Sequence, residues 1–367
     1  METILSIIIS AYNAEKTISC CLDSLADHID HATEIIVVDD GSQDRTAEIC
    51  QSYIRNGYRM KLFRQANAGI SAARNLALQH AQGKYFTIVD ADDYVSSDFC
   101  RILAQSLYFG EYDVLWFGTN QTTQYIPYKT SVDVTPTDLS AEQLAQMKSV
   151  PLYYDHKLNQ QGSSLLGISP STAWGSVFRR QLQVENLILY SDTVLMYEDG
   201  IYNLNMLHYC QKAGFVPQAL YQYMFNPESA TNRFRTDWQE KFAVRNTEAQ
   251  RLVRDVIGIP LDDTTSSYVQ RYYGSILFQL KIILESQIFS RRNPDPISEQ
   301  IRQCRSLLTD PLYRQCLDKC DQTWINPGEK HMLTHLRKNN AVYTWSYYEY
   351  RYWRHQAKLW LMSLRRK

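Results

Sequence analysis

Short apolar runs alternate with amphipathic segments through the first third of the chain. Residues 5–9 form an apolar run interrupted only by Ser6, which is typical of a strand buried on both faces of a sheet. Similar runs at residues 34–38, 60–63, 85–89 and 114–117 predict four further strands. Because segments with helical periodicity separate these runs, we expect an α/β domain with a mostly parallel sheet and right-handed crossovers.

The segments between the predicted strands repeat apolar residues at helical spacing. Helices are predicted at residues 14–26, 42–53, 70–79 and 97–107. Asn13 and Ser42 are placed to cap the first two, because short polar side chains accept hydrogen bonds from the exposed N–H groups of a first turn. The inner face of the first helix is predicted to comprise Ile18, Cys21, Leu22 and Leu25. Gly83 is expected to end the third helix.

The pattern weakens after residue 120 and changes character after residue 235. Residues 121–170 are rich in Thr, Tyr, Gln, Pro and Ser, and we expect a long excursion that carries binding contacts or a lid. Helical spacing then predicts helices at residues 238–256, 268–284 and 297–308. We therefore divide the chain into an α/β domain (1–235, with halves at 1–120 and 121–235) and a helical domain (236–367).

Composition and charge exclude several classes of protein. The chain has 367 residues, 44% hydrophobic and 21% charged, with a formal net charge of -1, which gives no reason to expect nucleic-acid binding. No apolar stretch is long enough to span a bilayer, and the N-terminus lacks the features of a secretory signal. The eight cysteines include the adjacent Cys20 and Cys21, which do not suggest a disulfide framework, so we expect a reducing, cytoplasmic location.

Acidic residues follow directly after two of the predicted strands. Asp39 and Asp40 end the second strand, and Asp90, Asp92 and Asp93 end the fourth. The carboxyl ends of parallel strands form the ligand crevice of such a sheet. Carboxylates at i and i+2 can hold a hard divalent cation that shares its other positions with waters and substrate phosphates. The pattern therefore predicts a Mg²⁺- or Mn²⁺-dependent enzyme that acts on a nucleotide diphosphate.

Four sequence blocks occur in order over the first hundred residues. They are SIIISAYN at 6–13, VDDGS at 38–42, NAGISAARN at 67–75 and GKYFTIVDADD at 83–93. Looser blocks follow: WGSVFRR at 174–180, EDG at 198–200 and YQY at 221–223. In these blocks the chain resembles the inverting family 2 glycosyltransferases of the GT-A fold, of the bacterial surface-polysaccharide type. The resemblance implies a nucleotide-sugar-binding half followed by an acceptor half, and it does not cover the chain beyond residue 236.

The resemblance also implies which residues bind the nucleotide. The base is expected against Ser10, Tyr12 and Asp40, with Asp39 beside them and Asn13 in the same block. The Tyr12 ring can lie against the base while a carboxylate accepts a hydrogen bond from the ring N–H of that base. An imide donor of that kind belongs to uracil or thymine, so a UDP-sugar is favoured.

The diphosphate and the sugar are assigned to the later blocks. In the DxD motif Asp90-Ala91-Asp92, the resemblance makes Asp92 the principal metal ligand and places Asp90 near the ribose or the metal. Such a metal offsets the charge of the departing diphosphate. Arg74 is expected to face the diphosphate as a fixed cation or, alternatively, to form a surface ion pair. Trp174 is expected to floor a sugar or, alternatively, to be a core tryptophan.

An inverting transfer needs a base that takes the proton of the acceptor hydroxyl on the side opposite the diphosphate. Asp199 holds the family position, with Glu198 as the second choice and Asp192 as the third. Because Glu198 and Asp199 open an amphipathic segment, stabilisation of a helix N-terminus is the competing explanation. Arg233 and Arg235 could close over the diphosphate, although arginines in a polar loop are usually solvated.

The resemblance therefore implies a metal-dependent inverting hexosyltransferase. It would move a sugar from a nucleotide-diphosphate donor to a hydroxyl of a glycan or lipid-linked oligosaccharide in polysaccharide biosynthesis. A non-catalytic glycan-binding or scaffold protein of the same fold is one alternative. A nucleotidyltransferase is another, although residues 10–13 lack the Gly- and basic-rich loop that binds a triphosphate. The oligomeric state is left open.

Two features of the helical region have alternative explanations. Cys316, Cys320, His331 and His335 could bind zinc, but both pairs stand at i, i+4, where buried Cys and His recur by helical periodicity. The tail at 345–367 combines basic and aromatic residues, as an interfacial membrane helix does. A terminal helix docked on the protein would show the same pattern. Peripheral contact with the inner face of the plasma membrane is therefore one of two expectations.

Overall fold

The computed structural model describes residues 2–26, 32–125, 135–152, 170–225, 235–320 and 330–364. The chain forms two compact units, Met1–Pro227 and Glu228–Lys367. The first contains a sheet flanked by helices, and the second is built from helices. The domain boundary predicted at residues 235 and 236 adjoins residues 226–234, which lie outside the described residues.

In the first unit, strands and helices follow one another along the chain. The strands are β1 (Leu5–Ala11), β2 (Thr33–Asp39), β3 (Met60–Arg64), β4 (Tyr85–Ile88), β5 (Tyr94–Val95), β6 (Val114–Thr122), β7 (Thr137–Asp138), β8 (Ser176–Arg179) and β9 (Ala213–Met224). The helices are α1 (Ile18–Ala26), α2 (Thr46–Arg55), α3 (Ile70–His80), α4 (Phe99–Gly110), α5 (Ala141–Lys148), α6 (Arg180–Glu185) and α7 (Glu198–Tyr209), and a 3₁₀ turn, Val150–Leu152, follows α5. Each strand and helix predicted for the first third of the chain is present.

The described strands form one sheet in the order β3-β2-β1-β4-β8-β6-β9-β5, with β7 paired to β9. β1 pairs in parallel with β2 and β4, and β2 pairs in parallel with β3. β8, by contrast, runs antiparallel between β4 and β6, and β5 and β7 are antiparallel to β9. The predicted α/β architecture is therefore confirmed, and its second half is more mixed than the apolar runs indicated.

Two hydrophobic core clusters take alternate residues of the central strand. In β1, Ile7 and Ile9 belong to one cluster and Ile8 belongs to the other. The first cluster also contains the whole predicted inner face of α1, and every member of that face is buried. Burial on both faces of the sheet explains why β1 is mostly apolar instead of alternating between apolar and polar residues.

The loops after β1 and β2 bind each other instead of capping their helices. The Asn13 N–H donates to Ser42 Oγ (2.9 Å), and the Gln43 N–H donates to Asn13 Oδ1 (2.9 Å). Asn13 has a positive φ of 49°, which Asn tolerates better than most residues. α1 begins only at Ile18 and α2 at Thr46, so the predicted caps at Asn13 and Ser42 are wrong.

Gly83 has a different role from the one predicted. α3 already stops at His80, before this glycine. A Cβ built on Gly83 would lie 2.7 Å from the backbone nitrogen of Ser6, and the Gly83 N–H donates to Ser6 Oγ at 2.9 Å. Gly83 therefore permits a close approach to β1, which a larger residue would prevent.

The second unit consists of successive helices. They are α8 (Trp238–Arg251), α9 (Ser267–Ile282), α10 (Ile297–Thr309), α11 (Pro311–Lys319), α12 (Lys330–Arg337) and α13 (Ala341–Leu364). π-helical turns extend α8 through Val256 and α9 through Ile288. The three helices predicted between residues 238 and 308 are confirmed. Among the described residues, no helix has the length and apolar character that a membrane span requires.

The cysteines and histidines considered for zinc do not form a site. Cys316 and Cys320 are buried, and the Cys316 thiol donates to the backbone oxygen of Tyr273 at 3.1 Å. The His335 ring instead stacks on Tyr343, with 3.5 Å between the ring centroids. Within the described ranges, no group of three or more His, Cys, Asp or Glu side chains is arranged to hold a metal ion. The structure therefore supports the alternative of helical periodicity.

The start of the tail packs within the helical unit. Tyr348 of α13 is buried and lies 5.6 Å from Phe289, measured between ring centroids. Arg351 pairs with Glu285, with 3.5 Å between Nη1 and Oε2. The tail is therefore docked around Tyr348, whereas most residues from 350 to 358 are exposed, so both expectations for the tail stay open. The side chains of residues 359–367 lie outside the described part of the chain, so membrane contact there stays a prediction.

Candidate functional site

The carboxyl ends of β1, β2 and β4 lie side by side, because these strands are parallel neighbours. Tyr12 follows β1, and half of its surface (50%) is exposed. The Ser10 hydroxyl, at the end of the same strand, is buried and has no hydrogen-bond partner among the described residues. A buried hydroxyl without a partner is unusual in a folded protein. An open aromatic face and an unused hydroxyl are suited to contact a nucleoside.

The two carboxylates at the end of β2 order the neighbouring loops. Asp39 is buried and accepts hydrogen bonds from the Ser42 N–H (3.0 Å) and Arg64 Nε (2.7 Å). Asp40 accepts from Gln65 Nε2 and from the N–H groups that immediately precede α3. A carboxylate oxygen can accept more than one hydrogen bond, so Asp40 keeps capacity for a ligand. In this structure, however, Asp39 and Asp40 hold the backbone of the neighbouring loops in place, and the Asn13 side chain does the same through the Gln43 N–H.

The three aspartates after β4 have different surroundings. Asp92 is exposed, and no other described side chain donates to its carboxylate. Desolvation by the surrounding protein and the charge of Asp90 raise the pKa of Asp92. Ala91 between them is buried. Asp92 and Asp90 are thus the acids at this edge that could hold a divalent cation, whose remaining positions diphosphate oxygens and waters would fill.

Asp93 is held inside the protein. It is buried and accepts hydrogen bonds from the Tyr221 hydroxyl (2.6 Å) and the Met224 N–H (2.7 Å). Burial and the neighbouring Asp90 raise its pKa to about 8. The Tyr221 oxygen also accepts from the Asp90 N–H at 3.1 Å, so it ties β9 to the acidic loop. The sequence placed Tyr221 in a matched block but did not indicate this contact.

Arg74 is the centre of an ion-pair cluster that joins distant parts of the chain. Its side chain is only 2% exposed, and its Nη1 lies 2.5 Å from Asp199 and 3.2 Å from Glu198. Its Nη2 lies 3.3 Å from Asp90. The guanidinium also sits over the ring of Tyr190, at 5.1 Å from the centroid. Arg74 is therefore not a surface ion pair, and its Nη groups are already bound to carboxylates.

The Asp199 side chain is mostly buried but remains partly exposed to solvent. It lies in the first turn of α7, and 23% of its side chain is exposed, compared with 13% for Glu198. Burial and the charges of Glu198 and Asp90 raise its pKa to about 8, against the opposing effect of Arg74. A carboxylate with a pKa close to the working pH can accept a proton effectively. The adjacent Gly200 fits closely, because a Cβ there would lie 2.6 Å from the carbonyl oxygen of Pro151.

The aromatic residue expected to contact a sugar lies in a stack. Trp174 is partly buried and stacks on Tyr221 and Tyr223, with centroid distances of 5.1 Å and 5.7 Å. It packs on the core and keeps an exposed portion, so the core explanation is supported and contact with a sugar stays a prediction.

The remaining candidates have less support from their surroundings. Asp192 is exposed, and no described side chain or backbone group is hydrogen-bonded to it. Arg235 is partly buried and pairs with Asp237 at 3.0 Å, so its guanidinium is already bound to a carboxylate. Arg233 lies outside the described residues.

The fold can be compared with that of solved structures. It is similar to S. aureus TarS (residues 1–349), with a TM-score of 0.62, 19% sequence identity, and coverage of 96% of this chain and 92% of that one. TarS has been solved in complex with UDP and with UDP-GlcNAc. The mixed sheet, its flanking helices and the acidic strand ends thus define a GT-A glycosyltransferase fold.

Sequence comparison identifies the family of this domain. Residues 6–168 match the family model Glycosyl transferase family 2. EpsJ of Bacillus subtilis, an uncharacterized glycosyltransferase, is 27% identical over 322 residues, which cover 86% of this chain and 87% of EpsJ. The cholesterol galactosyltransferase of Borreliella burgdorferi is 24% identical, with 77% of each chain covered. The chain is therefore similar to family 2 glycosyltransferases, and its match to the family model lies within residues 6–168.

Proposed function

We propose that the enzyme transfers a sugar from a UDP-sugar to an acceptor hydroxyl by metal-dependent single displacement, with inversion at the anomeric carbon. The observation that carries the proposal is the buried Arg74, which holds Asp199 and Asp90 against the same guanidinium. A carboxylate able to act as a base is thereby fixed beside the acidic loop that would receive a diphosphate. The reacting groups are positioned before substrate binds, which lowers the entropic barrier to reaction.

The donor end is supported by the free groups at the end of β1. The exposed Tyr12 ring can stack on a base, and the Ser10 hydroxyl lacks a partner among the described residues. The fold similarity to TarS, which has been solved with UDP and UDP-GlcNAc, favours a uridine nucleotide. The proposed role of Asp39, Asp40 and Asn13 is mainly to order the loops around the end of β1.

The diphosphate end is supported by the difference between the three aspartates. Asp92 projects without a protein partner among the described residues, and Asp90 lies beside it, so these two would hold Mn²⁺ or Mg²⁺. The cation supplies positive charge to the leaving diphosphate. Trp174 offers its partly exposed ring to a sugar.

Asp199 is proposed as the base. Its carboxylate takes the proton of the acceptor hydroxyl while the oxygen attacks the anomeric carbon and the bond to the diphosphate breaks. When Asp199 takes up the proton, Arg74 stays paired with Glu198 and Asp90, so the buried guanidinium keeps carboxylate partners during transfer. The acceptor is proposed to be a glycan or lipid-linked oligosaccharide of a surface polysaccharide, and the relative that carries the name cholesterol galactosyltransferase favours a membrane-associated acceptor.

Asp92→Asn and Asp199→Asn test the two ends of the site separately. Hydrolysis of UDP-sugars is measured with Mn²⁺, and UDP binding is measured by calorimetry with and without Mn²⁺. Asp199→Asn should lose about 10²- to 10⁴-fold in rate and keep metal-dependent UDP binding, because only the base is removed. Asp92→Asn should lose both.

Asp192→Asn is the matched control, since Asp192 is an exposed acid a few residues before the proposed base. It should behave as the wild type. Full activity of Asp199→Asn or Asp92→Asn would overturn the corresponding assignment, and loss of activity in the control would move the base to Asp192.

A further inference from the structure

The helical unit contains a cavity that the proposed transfer reaction does not use. Its volume is about 410 Å³, and it opens between the end of the π-helical turn after α9 and the face of α13. Cavities of about 300–1,000 Å³ are typical of sites for small ligands. Its lining combines the aromatic rings of Phe289, Tyr348 and Tyr352 with charged side chains.

The charged groups of the cavity are paired with each other. Arg291 Nη2 lies 2.6 Å from Glu349 Oε2, and Arg351 Nη1 lies 3.5 Å from Glu285 Oε2. Two arginines and two glutamates leave no net charge, and the other titratable side chains in the lining are His355 and the two tyrosines. A cavity with this balance does not favour a polyanion or a phosphate, which would have to displace a carboxylate from each arginine.

The same pairs place planar donors and acceptors beside the rings. The Arg291 guanidinium lies over the Tyr352 ring, 4.3 Å from its centroid, while it is also bound to Glu349. Guanidinium and carboxylate groups offer paired donors and paired acceptors, which match adjacent hydroxyl groups of a sugar. Aromatic rings pack against the apolar face of a pyranose. An uncharged sugar ring rich in hydroxyl groups can therefore contact both the aromatic rings and the paired charged groups of the lining.

We propose that this cavity is a binding site for a neutral glycan. This proposal rests on the proposed function, because we take the bound glycan to be a segment of the acceptor chain. The cavity then retains the acceptor independently of the reacting hydroxyl. Its contribution is to affinity for long acceptors, and it leaves the chemical step to the α/β unit.

Binding of full-length protein to an array of neutral and acidic bacterial surface glycans tests the proposal, with hydrolysis of UDP-sugars measured on the same preparations. Wild-type protein should bind neutral glycans, and Tyr352→Ala should bind them at least tenfold more weakly. Tyr350→Ala is the matched control, because Tyr350 is an exposed tyrosine on the same helix that does not line the cavity. Both variants should hydrolyse donor at the wild-type rate.

The outcomes separate the two proposals. Hydrolysis by wild-type protein without binding to any neutral glycan would overturn the cavity proposal alone. Equal binding by wild type and Tyr352→Ala would also overturn it, as would a preference for acidic glycans that Arg291→Met abolishes. Neutral glycan binding that depends on Tyr352, without hydrolysis of any donor, would support the cavity and count against the proposed transfer reaction.

Discussion

Replacing Arg74 by Met should destabilise the first unit, and more strongly as the pH rises. The guanidinium is buried against Asp90, Glu198 and Asp199 at 3.3, 3.2 and 2.5 Å. Breaking a buried ion pair costs about 3–5 kcal/mol, because the remaining charge is left buried without its partner. For a domain of about 150–250 residues, this corresponds to a fall in Tm of roughly 6–20 °C.

The pH dependence follows from the sign of the pKa shift at Asp199. Its pKa is raised to about 8 in the folded protein, compared with about 3.9 in an unfolded chain. The folded protein therefore binds this proton more tightly, and the associated stability is fully present below about pH 4 and lost as the pH rises through 8. Arg74 opposes the shift, so its removal raises the folded pKa further. The unfolding free energy lost on substitution should be larger at pH 8.5 than at pH 5.5.

Urea unfolding of the wild type and of Arg74→Met at those two pH values measures the effect. Arg74→Lys is the control, since it keeps the positive charge and should recover part of the stability. Donor hydrolysis by the wild type should rise with pH up to about 8, where Asp199 ionises, and that rise should move to higher pH in Arg74→Met. A loss of stability that is the same at both pH values, or a rise displaced to lower pH, would refute this account of the cluster.

Two further substitutions test the supports of the site. Tyr221→Phe removes the hydroxyl that links Asp93 to the Asp90 N–H, a hydrogen bond worth about 0.5–1.5 kcal/mol. We expect a several-fold weaker apparent affinity for Mn²⁺ in donor hydrolysis. Tyr223→Phe is the control, and equal effects of the two substitutions would contradict the role of the Tyr221 hydroxyl. Gly200→Ala should lower stability in urea by about 1–3 kcal/mol, because its methyl would approach the Pro151 oxygen to 2.6 Å, and an unchanged midpoint would argue against this close fit.

The parallel half of the sheet could be predicted because β1, β2 and β4 are buried on both faces and are largely apolar, whereas β3 is fully buried only at Met60. β8 has only four residues and ends in an arginine, so local pattern gave no sign that it would insert antiparallel beside β4. Asn13 and Ser42 have good capping propensity, but the bond between their loops outweighed it. In each of these two cases a tertiary contact, rather than local preference, decided the structure.

The candidate site, like the fold, was only partly predictable from the sequence. The acidic strand ends were evident from sequence, because the carboxyl edge of a parallel sheet follows from the order of elements. The role of Arg74 was not evident, since its carboxylate partners on α7 lie 124 and 125 residues away along the chain. The hydroxyl contact of Tyr221 with Asp93, which spans 128 residues, was hidden for the same reason.

The start of α3 limits which insertions this enzyme can tolerate. Asp40 binds the Gly69 N–H at the beginning of the helix, and Arg74 reaches the acidic cluster from its second turn. A single residue inserted between Gly69 and Arg74 would turn the arginine about 100° around the helix axis. The guanidinium would then point away from Asp199, so the five-residue spacing should stay constant among functional variants even where the surrounding sequence changes.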